Sequence, residues 1–285
     1  MKTCIITGAN SGIGKSAAEQ IAAKGYRVIL ACRNIVSGEK ACQQIKTMTG
    51  NMHVCVMKVD LSLMSETRAF ADECISNFKE LDVLIHNAAD FDLSRKSANM
   101  TVEGNESQFA TNVLAPFLLT NKLLGLLKDS RDARVIHVSS KGLMLYPNLK
   151  LDFDNLQGQK TYHPAATYYR NKLALLMNSL TLKEKLANTN VSVCAVRVTN
   201  VKIDMNRYQN ISAILKYMYK IKSRFAISPD EMAKVYTILA ADRKLDGFLY
   251  DEKMREVKAN RFVYEKEPRK RLWDICESLT SRDND

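Results

Sequence analysis

The chain has 285 residues, 46% of them hydrophobic and 26% charged, a balance that supports a large buried core and excludes a disordered polypeptide. Its formal charge is +11, but the basic residues are spread out, and even the densest group, Lys266, Arg269, Lys270 and Arg271, is interleaved with Glu265 and Glu267. That reads as a solvated surface rather than the one-faced patch a nucleic-acid site needs, so no nucleic-acid partner is expected.

Runs rich in β-branched residues at 3–7, 27–32, 53–59, 83–86, 134–138, 191–198 and 248–250 alternate with stretches of helical periodicity at 12–24, 37–49, 65–78, 106–127, 165–186 and 229–241. This alternation predicts an α/β fold of the Rossmann type, a doubly wound parallel sheet of about seven strands with helices on both faces. No repeat, low-complexity tract or linker interrupts the pattern, so one domain over 1–285 is predicted.

The first predicted strand runs into Thr7-Gly8-Ala9-Asn10-Ser11-Gly12-Ile13-Gly14-Lys15, and a helix follows. Glycines at such a turn let the backbone approach a pyrophosphate, and the helix start offers free N–H groups and a positive dipole end to the same anion. Gly14-Lys15-Ser16 resembles the end of a P-loop, but that motif needs a glycine where Ala9 stands, and Gly8 is one position early. An NAD site usually carries an acid at the end of the second strand. Here the strand ends in Cys32-Arg33-Asn34, which points to NADP(H), with Arg33 as a fixed cation for the 2′-phosphate and Lys15 as a second candidate.

Tyr168 and Lys172 lie four apart in a helical stretch and share a face. A phenol, with a pKa near 10, is a poor base at neutral pH, and a neighbouring ammonium favours its ionised form. Ser140, closing Val138-Ser139-Ser140 at the end of the fifth strand, is placed to hydrogen-bond a substrate oxygen. Such a Tyr–Lys pair arises often by chance; with the glycine loop and the serine strand end it becomes specific.

In this combination the chain resembles the short-chain dehydrogenase/reductases, and more narrowly their retinol-dehydrogenase-like branch. The general resemblance rests on Thr7-Gly8-x-x-x-Gly12-Ile13-Gly14, Asp60-Leu61, Asn87-Ala88-Ala89, Asn112, Ser140 and Tyr168-x-x-x-Lys172. The narrower one rests on Leu30-Ala31-Cys32-Arg33, Asn155-Leu156-Gln157-Gly158, Arg271-Leu272-Trp273-Asp274 and the long spacing from Ser140 to Tyr168. The resemblance implies a hydride-transferring oxidoreductase acting on an alcohol, aldehyde or ketone. It implies that Gly8, Asn10, Ser11, Gly12, Ile13 and Gly14 cradle the cofactor phosphates, and that Asp60, with Leu61, contacts the adenine. Asn87, Ala88 and Ala89 would line the cofactor cleft, and Asn112 would hold a water in a proton relay. Ser140 would orient the carbonyl, Tyr168 would give or take the proton, and Lys172 would bind the nicotinamide ribose and lower the tyrosine pKa.

Two departures stand out. The family's Asn-Asn-Ala-Gly segment reads His86-Asn87-Ala88-Ala89, and Val198-Thr199-Asn200-Val201-Lys202-Ile203 replaces the Pro-Gly segment that helps position the nicotinamide carboxamide. Ile203 brings no hydroxyl there, which leaves the Val201 backbone. Residues 205–226 fall where the family builds a substrate lid, and Ile211, Ile214, Leu215, Met218 and Ile221 share one helical face beside Lys216, Lys220, Lys222 and Arg224. A lid with that face implies a lipophilic substrate; plain packing and membrane-surface contact are the competing readings.

Seven scattered cysteines without a C-x-x-C pair read as free buried thiols, and four histidines without ligand spacing give no metal site. No signal peptide or membrane anchor is read, and the longest apolar run, 114–127, is broken by Asn121 and Lys122. A cytoplasmic protein is therefore expected; a homo-oligomer is compatible with the sequence. The leading expectation is an NADP(H)-dependent oxidoreductase. Its rivals are a catalytically weak dinucleotide-binding sensor or scaffold, and a peripheral membrane protein.

Overall fold

The computed structural model describes residues 1–92, 94–202, 226–241 and 246–281. Seven parallel strands, β1 (Thr3–Thr7), β2 (Arg27–Cys32), β3 (Val54–Lys58), β4 (Val83–His86), β5 (Ala133–Ser140), β6 (Val191–Val198) and β7 (Leu249–Tyr250), form one sheet. Their order is β3-β2-β1-β4-β5-β6-β7. The chain builds outward from β1 to β3, then returns to the other side of β1 with β4, so the strand order reverses between β1 and β4. In an open α/β sheet that reversal leaves a crevice at the carboxyl ends of the strands, because the connections diverge to opposite faces.

The central strands β1, β2, β4 and β5 are buried on both faces, which is why they read as continuous apolar runs. Consecutive residues serve opposite cores. Cys4, Ile6, Val28 and Leu30 pack with α1 (Gly12–Ala23), α2 (Ile35–Thr49) and α8 (Pro229–Ala241). Ile5, Ile29 and Leu84 pack with α3 (Met64–Asn77), α5 (Ala115–Lys122), α7 (Pro164–Lys185) and α9 (Lys266–Thr280). Helix α2 starts at Asn34, whose side chain accepts from the Ser37 N–H, and stops at Gly50 in the left-handed conformation.

Several elements differ from the sequence reading. The single helix expected over 106–127 is α4 (Ser107–Phe109), a π-helical turn at Ala110–Leu114, then α5, a break at Leu123, and α6 (Leu124–Asp129). The widened turn carries Asn112, and side-chain periodicity cannot reveal it. Helix α9 was not expected: its first turn carries Pro268 amid charges, which hid the buried row Leu272, Trp273, Cys276 and Thr280. Its Trp273 meets Phe117 edge-on at 4.7 Å, and Arg269 pairs with Glu184 at 2.9 Å. Cys55, expected buried, is exposed, because β3 is the edge strand. Residues 205–225 of the expected lid lie outside the described residues. Among the described residues no helix is long and apolar enough to cross a membrane.

His86 and His137 are registered neighbours on β4 and β5, with rings stacked at 4.8 Å. His86 Nε2 also meets the Thr120 hydroxyl at 2.7 Å. Burial holds His86 well below the usual histidine range, with the neighbouring His137 adding to it, and holds His137 down to about 3, with Lys172 adding to it. The unfolded chain takes up protons on both rings below about pH 6.5, whereas the folded chain does not. Native stability therefore falls as pH drops from about 6.5 towards about 3. Urea unfolding at about pH 7 and about pH 4.5 should show a smaller acid loss in the His86→Asn, His137→Asn double variant than in the parent. An equal loss in both would contradict this assignment.

Candidate active site

A cleft of 1510 Å³ opens at the carboxyl ends of the strands, centred on the crevice between β1 and β4. The loop after β1 forms one wall. Gly8 has a φ of 65°, and a Cβ there would stand 3.0 Å from the Ala88 Cα. A Cβ on Gly14 would stand 2.4 Å from the Asn87 amide nitrogen and 2.7 Å from the Gly8 carbonyl oxygen. Asn87 Nδ2 donates to the carbonyls of Thr7 and Gly8 at 2.9 and 3.3 Å, and the Ala88 N–H donates to the Thr7 hydroxyl at 3.0 Å. The loop after β1 is thereby fastened to the end of β4. Ser11, which precedes α1, makes no side-chain capping bond, so the first-turn N–H groups face the cleft without that partner. A dinucleotide pyrophosphate fits this backbone cradle.

At the far end of the loop, Asn10, Arg33, Asn34, Asp60 and Leu61 border the cleft. The Asp60 carboxylate accepts from the Ser62 N–H and hydroxyl, and its other oxygen lies 3.9 Å from Arg33. Arg33 is 77% exposed, so this pair leaves its guanidinium open to an anion. Lys15 does not border the cleft; its ammonium donates to Gln44 at 2.6 Å.

The opposite end holds Ser139, Ser140, Tyr168 and Lys172. Lys172 is 2% exposed, donates to the Val138 carbonyl at 2.8 Å, and lies 5.7 Å from the centre of the Tyr168 ring. Burial lowers its pKa to about 8, which leaves the ammonium mostly charged near neutrality. Ser140 Oγ accepts from the Gly142 N–H at 3.1 Å, leaving its own hydrogen to donate into the cleft. The Tyr168 ring packs on Phe91 at 4.3 Å and on Tyr169 at 5.3 Å. Val198, Thr199, Asn200, Val201 and Lys202 form the lip, tied to Ile227 by backbone bonds from Lys202 and to Asn200.

Apart from Lys15, the residues expected around the cofactor, namely Gly8, Asn10, Ser11, Gly12, Ile13, Gly14, Arg33, Asp60, Leu61, Asn87, Ala88, Ala89, Tyr168, Lys172 and Val201, border this one cleft, as does Ser140. Asn112 does not. Its side chain is engaged with the backbone of Asp90, accepting from the N–H at 2.9 Å and donating to the carbonyl at 2.9 Å. It therefore holds the segment after β4. Sequence reasoning missed Phe91, Arg95 and Tyr236, which also line the cleft. Arg95 grips Asp90 with two bonds of 2.7 and 3.1 Å and also donates to Ser107. No local pattern marks these three, since loop closure and helix packing bring them in.

The crossover order, the fastened glycine loop and the cleft above it define a Rossmann-type dinucleotide fold. Residues 2–150 match the short chain dehydrogenase family. Retinol dehydrogenase 12 of Mus musculus is 36% identical over 282 residues, covering 98% of this chain and 86% of that protein. Retinol dehydrogenase 14 of Homo sapiens is 33% identical, covering 98% of this chain and 86% of that protein. Among solved structures, an uncharacterized protein from Mycobacterium paratuberculosis is 28% identical with a TM-score of 0.74, covering 99% of this chain and 94% of that one. A metagenomic short-chain oxidoreductase in complex with NADP shares the fold at a TM-score of 0.63 and 21% identity, covering 90% and 98%. The chain belongs to the short-chain dehydrogenase family of oxidoreductases.

The Gly14 contacts give a direct test of the cradle. Gly14→Ala should destabilise the protein by about 1–3 kcal/mol, because its Cβ meets backbone on one side and the Asn87 amide on the other. Thermal unfolding of the variant within a degree of the parent would show that the loop is not fastened as described.

Proposed function

We propose that this chain transfers a hydride between NADP(H) and the alcohol or carbonyl carbon of a lipophilic small molecule, with Tyr168 giving and taking the proton. The observation that carries this is the buried Lys172 ammonium beneath the Tyr168 ring, at the end of the cleft opposite Arg33 and Asp60. The cofactor, when bound, supplies or accepts the hydride. The rest is work for the chain's own groups. The glycine loop and the start of α1 hold phosphates, and Arg33 meets a 2′-phosphate. Lys172 spends one of its three N–H donors on Val138, which leaves two for the ribose hydroxyls. Its charge also favours the phenolate that forms when Tyr168 gives up its proton. In the reductive direction, Tyr168 donates its proton to the carbonyl oxygen while Ser140 donates a hydrogen bond to the same oxygen.

Support for a lipophilic substrate comes from the apolar rim of Phe91, Met144, Leu145 and Tyr169 and from relatives named retinol dehydrogenases. Retinol and retinal are accordingly the first substrates to test. A cytoplasmic location is part of this proposal. A second reading, a dinucleotide-binding sensor of weak activity, is favoured by Val198 and Thr199 standing where the family has Pro-Gly.

Tyr168→Phe keeps the ring against Phe91 and removes the proton, so it should lower single-turnover hydride transfer by roughly 10²–10⁴-fold while leaving NADPH affinity nearly unchanged. Tyr169→Phe keeps its ring over Gly142 and should be nearly silent. A near-normal rate in Tyr168→Phe would remove the proposed mechanism and advance the sensor reading.

Calorimetry addresses the cofactor. The parent should bind NADPH more tightly than NADH, and Arg33→Ala should weaken NADPH alone, by about tenfold, the scale of a charge-assisted bond at an exposed site. Equal affinity of the parent for both cofactors would rule out the 2′-phosphate assignment.

A further inference from the structure

Tyr236 stands on α8, in the layer that also holds α1, and its side chain is fully buried. Helix α8 is pinned to α1 by Gln20, which donates to the Asp230 carbonyl and accepts from the Thr237 hydroxyl. Tyr236 thus comes to the cleft from the face of the sheet opposite to α7, whose Leu173 and Leu176 belong to the other core. It borders the cleft, and it belongs to the same core cluster as Val201, a cluster against which Ile13 and Val198 pack. Among the described residues its hydroxyl has no hydrogen-bond partner. The adjoining Thr237 hydroxyl, in contrast, is bonded to the Ala233 carbonyl at 3.0 Å. Tyr168 and Tyr236 both line this cleft, from helices in opposite layers, and burial pushes the Tyr236 phenol up, with Tyr168 adding to that effect.

A hydroxyl buried without a partner loses its hydration for nothing, and folded proteins keep few such groups without a use for them. The layout of the cleft says what that use is. Phosphates belong at the glycine loop, and the reacting carbon belongs beside Tyr168. A nicotinamide ring connecting the two passes the wall made by Val198, Val201 and Tyr236. The ring's one hydrogen-bonding substituent is its carboxamide. Ile203, next in sequence after this lip, offers no hydroxyl of its own. We infer that the Tyr236 hydroxyl donates a hydrogen bond to the carboxamide oxygen of the nicotinamide and fixes the rotation of the ring under Tyr168. The inference rests on the NADP(H) reading above. Tyr236 is on this account a cofactor-positioning residue, and the dry wall in which it sits strengthens the bond.

The test is Tyr236→Phe, titrated calorimetrically with NADPH and with 2′-phospho-ADP-ribose, which keeps the phosphates and lacks the ring. NADPH affinity should fall about 3- to 10-fold, the range of one neutral hydrogen bond, while 2′-phospho-ADP-ribose affinity stays the same. Thionicotinamide-NADP, whose sulfur is a weak acceptor, should discriminate less between parent and variant. The ligand-free variant should unfold at the same temperature as the parent or higher, because an orphan hydroxyl has been removed. Unchanged NADPH affinity overturns the inference. So does an equal loss for both ligands, which would assign the phenol to the phosphates, and so does a lowered unfolding temperature, which would reveal a partner within the chain. A parent that binds 2′-phospho-ADP-ribose and NADPH but shows no difference in the variant defeats this inference alone. A parent that binds neither defeats the oxidoreductase reading and this inference with it.

Discussion

The carboxamide of Asn87 joins the end of β4 to the loop after β1, and the site is arranged around that joint. Its amide nitrogen donates to two successive carbonyls, those of Thr7 and Gly8, at the place where the strand order reverses. Two adjacent carbonyls can be shared this way only if the loop lies flat against β4, which is why a side chain at Gly8 or Gly14 would collide with Ala88 or Asn87. With the loop held down, the start of α1 points into the crevice rather than across it. The same strand end then runs on to Asp90, whose backbone is gripped on both polar atoms by Asn112. Asn112 in turn sits in the π-helical turn before α5, so a widened helix turn, a strand end and the glycine loop are linked through two asparagine side chains.

The end of the cleft around Lys172 depends on a different balance. Lys172 is buried, which weakens its hold on a proton, yet it keeps a carbonyl partner at Val138 and faces an aromatic ring. A fully solvated lysine would act on the neighbouring phenol through water and count for little; in a dry setting the same charge acts strongly. His137, stacked on His86 within the same interior, stays neutral partly because of that nearby ammonium. Replacing the family's asparagine by His86 is thus accommodated as an apolar stack rather than as a second charge. The aromatic wall of Phe91, Tyr168, Tyr169 and Tyr146 continues this dry setting toward the mouth of the cleft.

Much of this was legible before the structure. Strand positions followed from apolar runs because a sheet with covered central strands needs little else, and the glycine loop, Arg33, Ser140, Tyr168 and Lys172, which border one cleft, stand out because each is fixed by spacing along the chain or by its place at a strand end. The parts that escaped have separate causes. Asn112 sits in a helical turn widened by one residue, which leaves side-chain periodicity almost intact. Cys55 turned out exposed because only the strand order makes β3 an edge.

The sequence by itself determined the alternation of strands and helices, the place of the glycine loop and the Tyr–Lys pairing, because these are written in separations of a few residues and in backbone preferences that act locally. Only the tertiary structure decided which side chains from distant segments meet there. Arg95 reached Asp90 through loop closure, Lys15 turned to Gln44, and Tyr236 was delivered by the packing of α8 on α1. Contacts between residues far apart in sequence depend on how whole layers stack, and no local pattern of residues encodes the distance at which two layers come to rest.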